Sequence, residues 1–238
     1  MQARSPLPIQ PPQRPVARSL RAACAALMLS ALLILPQPLL ADPAPANPGL
    51  TDLQRMELSM RLHRAGRAAG DAVLLLAAAR LRQSVAPLRA ADWPVLPEGD
   101  AMAHGASSPL NAADMLAQAR RLAEGQDALL ALIEDAEAER MKGVASGPLH
   151  RLGTIAPDAR DRYEALPFRG GEYAEVYAEA QGGADLLLTV LDAEGRTVCA
   201  DSDNSAIAYC GWRPERAGEF TIILENRGEG ASYALMTN

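Results

Sequence analysis

The spacing of apolar and polar residues divides the chain into two halves with different periods. Between residues 51 and 150, apolar positions recur near helical spacing, which is typical of amphipathic helices. From residue 160 onward, apolar and polar residues alternate, which is typical of half-buried strands. The pattern therefore predicts an α+β protein, in which N-terminal helical hairpins or a bundle precede a C-terminal antiparallel β-sandwich.

The helical half contains two predicted pairs of helices, near residues 52–83 and 110–142. Thr51, followed by Gln54 three residues later, has the signature of a helix start. Residues 85–109 are rich in proline, glycine, alanine and serine and are predicted to form a long connection between the pairs. The predicted buried stripe of the second pair comprises Leu116, Leu122, Leu129, Leu132 and Ile133.

The strand half shows alternation and turn signals at about ten-residue spacing. Residues 172–180 alternate tyrosine and glutamate with small apolar residues, so Tyr173 and Tyr177 are expected to lie exposed on one face of a strand. Residues 184–192 form a nearly continuous apolar run, as expected for a central strand. Residues 192–195 then supply a hairpin turn.

The N-terminal segment has the pattern of an export signal. Three arginines precede an apolar run from Ala22 to Leu35, and prolines and small residues follow it as far as Ala41. We predict a signal peptide over residues 1–41 and a Pro-rich linker over residues 42–50. A membrane anchor is the alternative, but a run of about 14 residues is shorter than the roughly 20 that span a bilayer, so no stable span is expected after cleavage. The predicted location is the periplasm, with the extracellular space as the alternative.

Removal of the signal changes the charge of the chain. The 238 residues contain 23 basic and 29 acidic side chains, for a formal charge of −6. Residues 1–41 contain four arginines and no acid, so the formal charge of the mature chain is −10. A chain this acidic, with Lys142 as its one lysine, is not expected to bind nucleic acid.

Two cysteines remain after signal cleavage, Cys199 and Cys210, eleven positions apart. In an oxidising compartment, an isolated pair of this kind predicts a disulfide between neighbouring strands rather than a transition-metal site, which would need further cysteines or histidines nearby. Two unpaired, buried cysteines are the alternative.

Several short blocks of the second half occur in the order found in a known domain family. They are FRGGEYAEV at 168–176, GADL at 183–186, DAEG at 192–195, DSD at 201–203, WRP at 212–214, AGEF at 217–220 and YAL at 233–235. Residues 160–238 thereby resemble the bacterial pre-peptidase C-terminal domain family. The resemblance implies a jelly-roll-like β-sandwich of an exported bacterial protein, often an accessory beside a peptidase; no peptidase signature is visible in this chain.

The same resemblance implies a calcium site, because some members of the family bind calcium through acidic side chains and backbone oxygens. The candidate ligands in this chain are Asp185, Asp192, Asp201, Asp203 and Asn204. The family's Asp-Leu-Asp is replaced here by Asp185-Leu186-Leu187, so one carboxylate is missing. The favoured alternative is that these residues set turns and cap strand ends. No other cofactor is predicted.

The sequence contains no catalytic motif. His63, His104 and His150 lack zinc-binding spacing, and His104 beside Ser107 and Ser108 in a glycine-serine loop does not define a triad. His63 is expected to be partly exposed on a helix. We therefore predict an exported, non-enzymatic envelope protein that acts as a binding or adaptor module.

Its predicted partner is a protein or a glycan, contacted through the helical region and the sandwich, with Tyr173 and Tyr177 as candidate anchors. The alternative prediction is a secreted hydrolase with an unrecognised site and an accessory sandwich.

Overall fold

The structure is a computed structural model that describes residues 49–102, 108–139 and 147–238. The predicted signal peptide, most of the predicted linker, His104 and Ser107 lie outside these residues. Among the helices in the described ranges, none is both long enough and apolar enough to cross a bilayer.

The described residues form four helices, and three of them begin where a polar side chain caps free backbone N–H groups. Thr51 Oγ1 accepts from the N–H of Gln54, and the Gln54 side chain accepts from the N–H of Thr51, as the sequence predicts. Gly70 ends the first helix in the left-handed region, with φ of 64°, which glycine adopts without strain. The helices are α1 (Asp52–Ala69), α2 (Ala72–Gln83), α3 (Ala112–Leu122) and α4 (Asp127–Ala138).

Ten strands form two five-stranded sheets. They are β1 (Arg89–Ala90), β2 (Leu96–Glu98), β3 (Leu149–Ile155), β4 (Arg160–Phe168), β5 (Ala174–Ala180), β6 (Leu186–Leu191), β7 (Thr197–Asp201), β8 (Ile207–Trp212), β9 (Gly218–Asn226) and β10 (Ala231–Thr237). Sheet A has the order β1-β3-β10-β5-β8, and sheet B has the order β2-β4-β9-β6-β7. Strands β3 to β10 pair in a nested series, 3 with 10, 4 with 9, 5 with 8 and 6 with 7, which is the jelly-roll arrangement.

The sandwich starts earlier than the predicted boundary at residue 160. Strand β3 begins at Leu149 and pairs along its length with β10. The predicted connection at 85–109 also contributes β1, which pairs with β3, and β2, which pairs with β4. The predicted helical region 51–150 was therefore wrong in its extent. Strands of two or three exposed residues carry no alternation of burial, so the sequence pattern does not reveal them.

The molecule has two hydrophobic cores on opposite sides of sheet A. The first lies between the sheets and includes Tyr163, Leu188 and Ile222. The second lies between the outer face of sheet A and the helices, and it joins Tyr177, Ile207 and Met236 of the sheet to apolar side chains of the helices. The helices therefore form a third layer that covers one face of the sandwich.

The predicted disulfide between Cys199 and Cys210 is present. Cys199 lies on β7 and Cys210 on β8, which are consecutive strands at the edges of different sheets. The bond therefore ties sheet A to sheet B along one side of the sandwich.

The predicted stripe of the second helical pair is only partly correct. Leu116 and Ile133 are buried, but Leu122 is 41% exposed and Leu132 is 50% exposed. Helix α4 packs mainly against α2 and α3, and its fully buried side chains are Ile133 and Ala136. The prediction for His63 was also wrong, because this side chain is only 5% exposed and lies between α1 and α3.

Candidate functional site

Two cavities lie at the end of the sandwich where β4 turns into β5 and β8 connects to β9. The two connections are held together, because the Gly171 N–H donates to the Pro214 carbonyl at 2.7 Å and the Arg213 guanidinium donates to the Gly171 carbonyl. We call the surface formed by residues 169–173, 192–196 and 213–217 the loop-end surface.

The smaller cavity, of about 310 Å³, lies beside Tyr173. The Tyr173 ring is 38% exposed, and its hydroxyl lies 3.3 Å from the Tyr209 hydroxyl. Asn238 donates to the Tyr173 carbonyl at 2.7 Å, so the end of the chain helps to fix this residue. Arg89 and Arg169 bring guanidinium groups to the same cavity. The cavity thus combines one accessible aromatic ring with several hydrogen-bond donors.

The larger cavity, of about 590 Å³, lies beside Trp212 and Phe220. Phe168, Trp212 and Phe220 pack against one another, with ring-centroid distances of 4.8 Å for Phe168–Trp212, 5.7 Å for Phe168–Phe220 and 5.4 Å for Trp212–Phe220. The Trp212 indole N–H is buried, and no described residue accepts a hydrogen bond from it.

Charges of both signs line the two cavities in equal number. Five arginines and five acids take part: Arg89, Arg169, Arg196, Arg213 and Arg216, with Glu172, Asp192, Glu194, Glu215 and Glu219. Several of them pair with one another, as Arg196 does with Asp192 at 2.7 Å and with Glu194 at 3.0 Å. The loop-end surface is therefore polar and hydrogen-bonding but has no excess of either charge.

Tyr177, the second predicted anchor, does not reach this surface. It is fully buried under the helical layer, where its hydroxyl donates to Glu179 Oε2 at 2.8 Å. Burial and the nearby Glu179 carboxylate raise the pKa of Tyr177 well above its usual value. Its prediction as an exposed anchor was wrong, because the helices cover the face of β5 that carries it. Of the two tyrosines, Tyr173 alone is accessible.

The five candidate calcium ligands do not form one cluster. Asp185 precedes β6 and Asp192 follows it, so these two residues lie at opposite ends of that strand. Asp201 accepts from the N–H groups of Tyr209 and Asp203, and Asp203 accepts from the Ser205 hydroxyl at 2.7 Å.

Asp192 has the hydrogen bonds of a turn residue. Desolvation alone would raise its pKa, but hydrogen bonds from the Arg196 backbone and guanidinium outweigh that effect and hold the pKa below its usual value. Within the described ranges, no three His, Cys, Asp or Glu side chains are grouped so as to hold a metal ion. Calcium binding through these residues and Asn204 stays a prediction.

The residues considered for catalysis have no hydrolytic arrangement in the parts of the chain that are described. The His63 ring bonds to Gln118, and His150 lies in β3. Neither ring has a hydrogen bond to a described serine or cysteine. Ser108 lies next to an apolar pocket between α1 and the segment that follows α2.

Sequence reasoning located Tyr173 but missed the other groups of the loop-end surface. Arg89 is distant along the chain from Trp212 and Arg213, and it lies at the same end of the sandwich because β1 extends sheet A, in which β5 pairs with β8. The available signal was the density of charged and aromatic residues immediately outside predicted strand ends, where binding residues concentrate.

The fold defines a class of protein: a jelly-roll β-sandwich with a helical layer on one sheet and polar cavities at one end. No family model matches the sequence, and no curated protein matches it. Solved structures that resemble part of it include the pre-peptidase C-terminal domain of a collagenase from Bacillus anthracis, at 14% identity and a TM-score of 0.31, over 37% of this chain and 87% of that one.

Two further similar structures are of other kinds. PliG from Aeromonas hydrophila, a periplasmic inhibitor of g-type lysozyme, has 14% identity and a TM-score of 0.30, over 42% of this chain and 90% of that one. The C-terminal CBM6 of LamC from Zobellia galactanivorans has 19% identity and a TM-score of 0.24, over 35% of this chain and 76% of that one. At these TM-scores, none of the similarities carries an argument about family, ligand or location.

Proposed function

We propose that the chain is an exported, non-enzymatic envelope protein that binds a glycan at its loop-end surface. The observation that carries the proposal is the accessible Tyr173 ring beside a cavity lined by Arg89, Arg169 and Glu172. An aromatic ring offers a flat apolar surface, and planar polar side chains offer directed hydrogen bonds. A sugar ring presents both an apolar face and a rim of hydroxyl groups, so this combination suits it.

The balance of charge favours an uncharged glycan. Five arginines and five acids line the two cavities, and hydroxyl groups both donate and accept hydrogen bonds, so they can bond to either kind of side chain. An anionic ligand that spanned both cavities would meet as many carboxylates as guanidinium groups, whereas the smaller cavity by itself has two arginines and one glutamate. The total volume of the two cavities is in the range of small-ligand sites.

Two features support the setting outside the cytoplasm. The Cys199–Cys210 disulfide is of a kind that persists in oxidising compartments. The N-terminal segment, residues 1–41, has the composition of a signal peptide. We propose export to the periplasm on these grounds, with protein partners at the exposed helical surface as a second mode of binding.

The test is a titration of the full chain with soluble, uncharged oligosaccharides selected from a glycan array. Trp212 lines the larger cavity and not the one beside Tyr173, so binding is measured by isothermal titration calorimetry. We expect Tyr173→Ala to weaken binding by about tenfold or more, which corresponds to about 1.4 kcal/mol or more.

Two control variants separate the ring from the general surface. Tyr173→Phe keeps the ring and loses only the hydroxyl contact to Tyr209, so it is expected to bind within a few-fold of the unaltered chain. Leu132→Ala removes an apolar side chain that is at least as accessible, at 50% against 38% for Tyr173, but lies on α4, away from the loop-end surface. Equal affinities of Tyr173→Ala and Leu132→Ala for every array hit would contradict the proposal.

The alternative of a secreted hydrolase predicts turnover of generic peptide and ester substrates by the purified chain. Loss of that turnover in His104→Ala, Ser107→Ala or Ser108→Ala variants would favour the hydrolase over the binding module.

A further inference from the structure

A separate cleft of about 410 Å³ lies where the helical layer meets the turn between β5 and β6. One stripe of α1 supplies Met60, His63, Arg64 and Arg67, which follow the i, i+3, i+4, i+7 spacing of a single helix face. Gln118 of α3 lies opposite this stripe. The cleft contains no residue of the loop-end surface, so it is a second and independent site.

The charges of this cleft differ from those of the loop-end surface. Arg64 and Arg67 are exposed, and neither forms a salt bridge with any described carboxylate. Among the described residues, no acidic side chain lines the cleft. Two uncompensated guanidinium groups in a predominantly acidic chain create a local positive potential, which attracts an anion.

Gln118 adds an oriented donor to these cations. The His63 Nε2 and Gln118 Oε1 atoms are 2.9 Å apart, and because an amide oxygen only accepts, the histidine nitrogen is the donor. With the amide oxygen facing His63, the Gln118 Nε2 protons have no partner among the described residues. His63 is therefore a positioning residue for the Gln118 amide.

His63 holds this arrangement at neutral pH. Burial lowers its pKa, and although the Gln118 bond opposes this, the positive charges of Arg67 and Arg82 lower the pKa further. The ring is therefore neutral at pH 7 and adds no charge of its own to the cleft. The cleft offers a ligand the two guanidinium groups of Arg64 and Arg67 and the side-chain amides of Gln118 and Gln181.

We propose that this cleft binds a small organic carboxylate, held by the guanidinium groups of Arg64 and Arg67 and by the Gln118 amide. Arginine pairs with carboxylates through two parallel N–H···O bonds, which gives the site a preference for a planar carboxylate. The apolar remainder of the ligand packs on Met60 and Leu110, which also line the cleft.

The test uses propionate and its neutral isostere propionamide as probes of the full chain. Binding is followed by the ¹H–¹⁵N resonances of the Gln118 side-chain amide. We expect a saturable shift with propionate and a response at least about tenfold weaker with propionamide, because a bond to a charged group is worth more than one to a neutral group. Equal responses to the two probes would overturn the proposal.

The Arg64→Gln/Arg67→Gln double variant is expected to weaken propionate binding by about tenfold or more. Arg121→Gln, which removes an exposed arginine of α3 that does not line the cleft, is the matched control and is expected to bind as the unaltered chain does. Retention of full affinity in the double variant would refute the carboxylate site.

The positioning role of His63 has its own readout. His63→Gln keeps a donor to Gln118 Oε1, so it is expected to retain the propionate-induced shift of the Gln118 amide. His63→Leu removes the donor and is expected to lose that shift while the backbone spectrum stays folded. An unchanged amide shift in folded His63→Leu would show that Gln118 does not depend on His63. These measurements do not involve Tyr173. A negative result for propionate binding would therefore not contradict the proposal that the loop-end surface binds a glycan.

Discussion

The two sheets of the sandwich have similar alternating sequences but opposite surroundings on their outer faces. In sheet B, the outward side chains of β4 and β9 form ion pairs open to solvent, such as Arg160 with Glu225 at 2.6 Å. In sheet A, the outward side chains of β5 are buried under α1 and α2. Alternation therefore shows which residues share a face of the sheet, but it does not show whether that face is exposed to solvent or packed against other elements.

The covered face contains a buried ion pair. Arg82 of α2 donates two hydrogen bonds to Glu179 of β5, at 3.0 and 2.9 Å, and both side chains are almost fully buried. Tyr177 bonds to the same carboxylate, and Ser59 accepts from Arg82 Nε at 3.2 Å. A buried ion pair is stable only if further hydrogen bonds satisfy the remaining donors and acceptors of its two side chains. Ser59 and Tyr177 supply such bonds to Arg82 and Glu179.

A second polar contact ties the start of α1 to sheet A. Glu175 is buried, and its Oε1 accepts from Thr51 Oγ1 at 2.5 Å and from the Tyr209 hydroxyl at 2.6 Å. Thr51 is also the N-cap of α1, so the carboxylate lies near the positive end of the helix dipole. The two glutamates of β5 thus each fix one of the helices that cover them.

The largest expected effect on stability comes from breaking the buried ion pair between Arg82 and Glu179. Glu179→Gln leaves Arg82 buried without a counter-charge, so we expect the free energy of unfolding to fall by about 3–5 kcal/mol. The measurement is urea unfolding of the full chain, followed by circular dichroism.

Glu225→Gln is the matched change on the open sheet. Its pair with Arg160 is partly exposed, so the expected loss is about 0–1 kcal/mol. If Glu179→Gln does not fold, the Arg82→Met/Glu179→Leu variant removes both charges and is expected to recover part of the stability. Equal losses for Glu179→Gln and Glu225→Gln would contradict the difference between the two faces.

A smaller effect on stability is expected from removing the Cys199–Cys210 disulfide, which joins the two sheets at their edges. The Cys199→Ser/Cys210→Ser double variant loses the constraint on a short loop, so we expect the free energy of unfolding to fall by about 2–3 kcal/mol. The same urea titration measures this loss. A reducing agent should lower the urea midpoint of the unaltered chain and leave that of the double variant unchanged. If the reducing agent does not change the urea midpoint of the unaltered chain, the result would argue against the disulfide.

The smallest effect is expected from calcium, whose candidate ligands lie on β7 or in turns at the ends of β6 and β7 of the open sheet. Asp192, Asp201 and Asp203 already accept hydrogen bonds from neighbouring turns and strands. We therefore expect the melting temperature in calcium to equal that in a chelator, as measured by differential scanning calorimetry. A rise in the melting temperature with calcium that Asp201→Asn abolishes would establish the site instead.

Much of the fold could be predicted because its signals are local. The Thr51–Gln54 cap, the turn that begins at Asp192 and the Cys199–Cys210 pair each depend on residues close together in the chain. The residues of the candidate site could be predicted less well from the sequence. Tyr173 and Tyr177 have the same place in one alternating pattern, yet one lies beside an open cavity and the other under a helix.

The sequence by itself determined the helices, strands β5 and β6, the turn that follows β6 and the disulfide, since hydrophobic period, capping and cysteine spacing act over a few residues. The tertiary structure alone decided three things: that α1 and α2 cover sheet A, that Arg82 meets Glu179, and that Arg89 and Trp212 lie beside the loop-end surface. These contacts join residues far apart in the chain, for example 97 positions apart for Arg82 and Glu179. Such pairs form because chain topology brings two buried surfaces together, and no local pattern records which surface will be the partner.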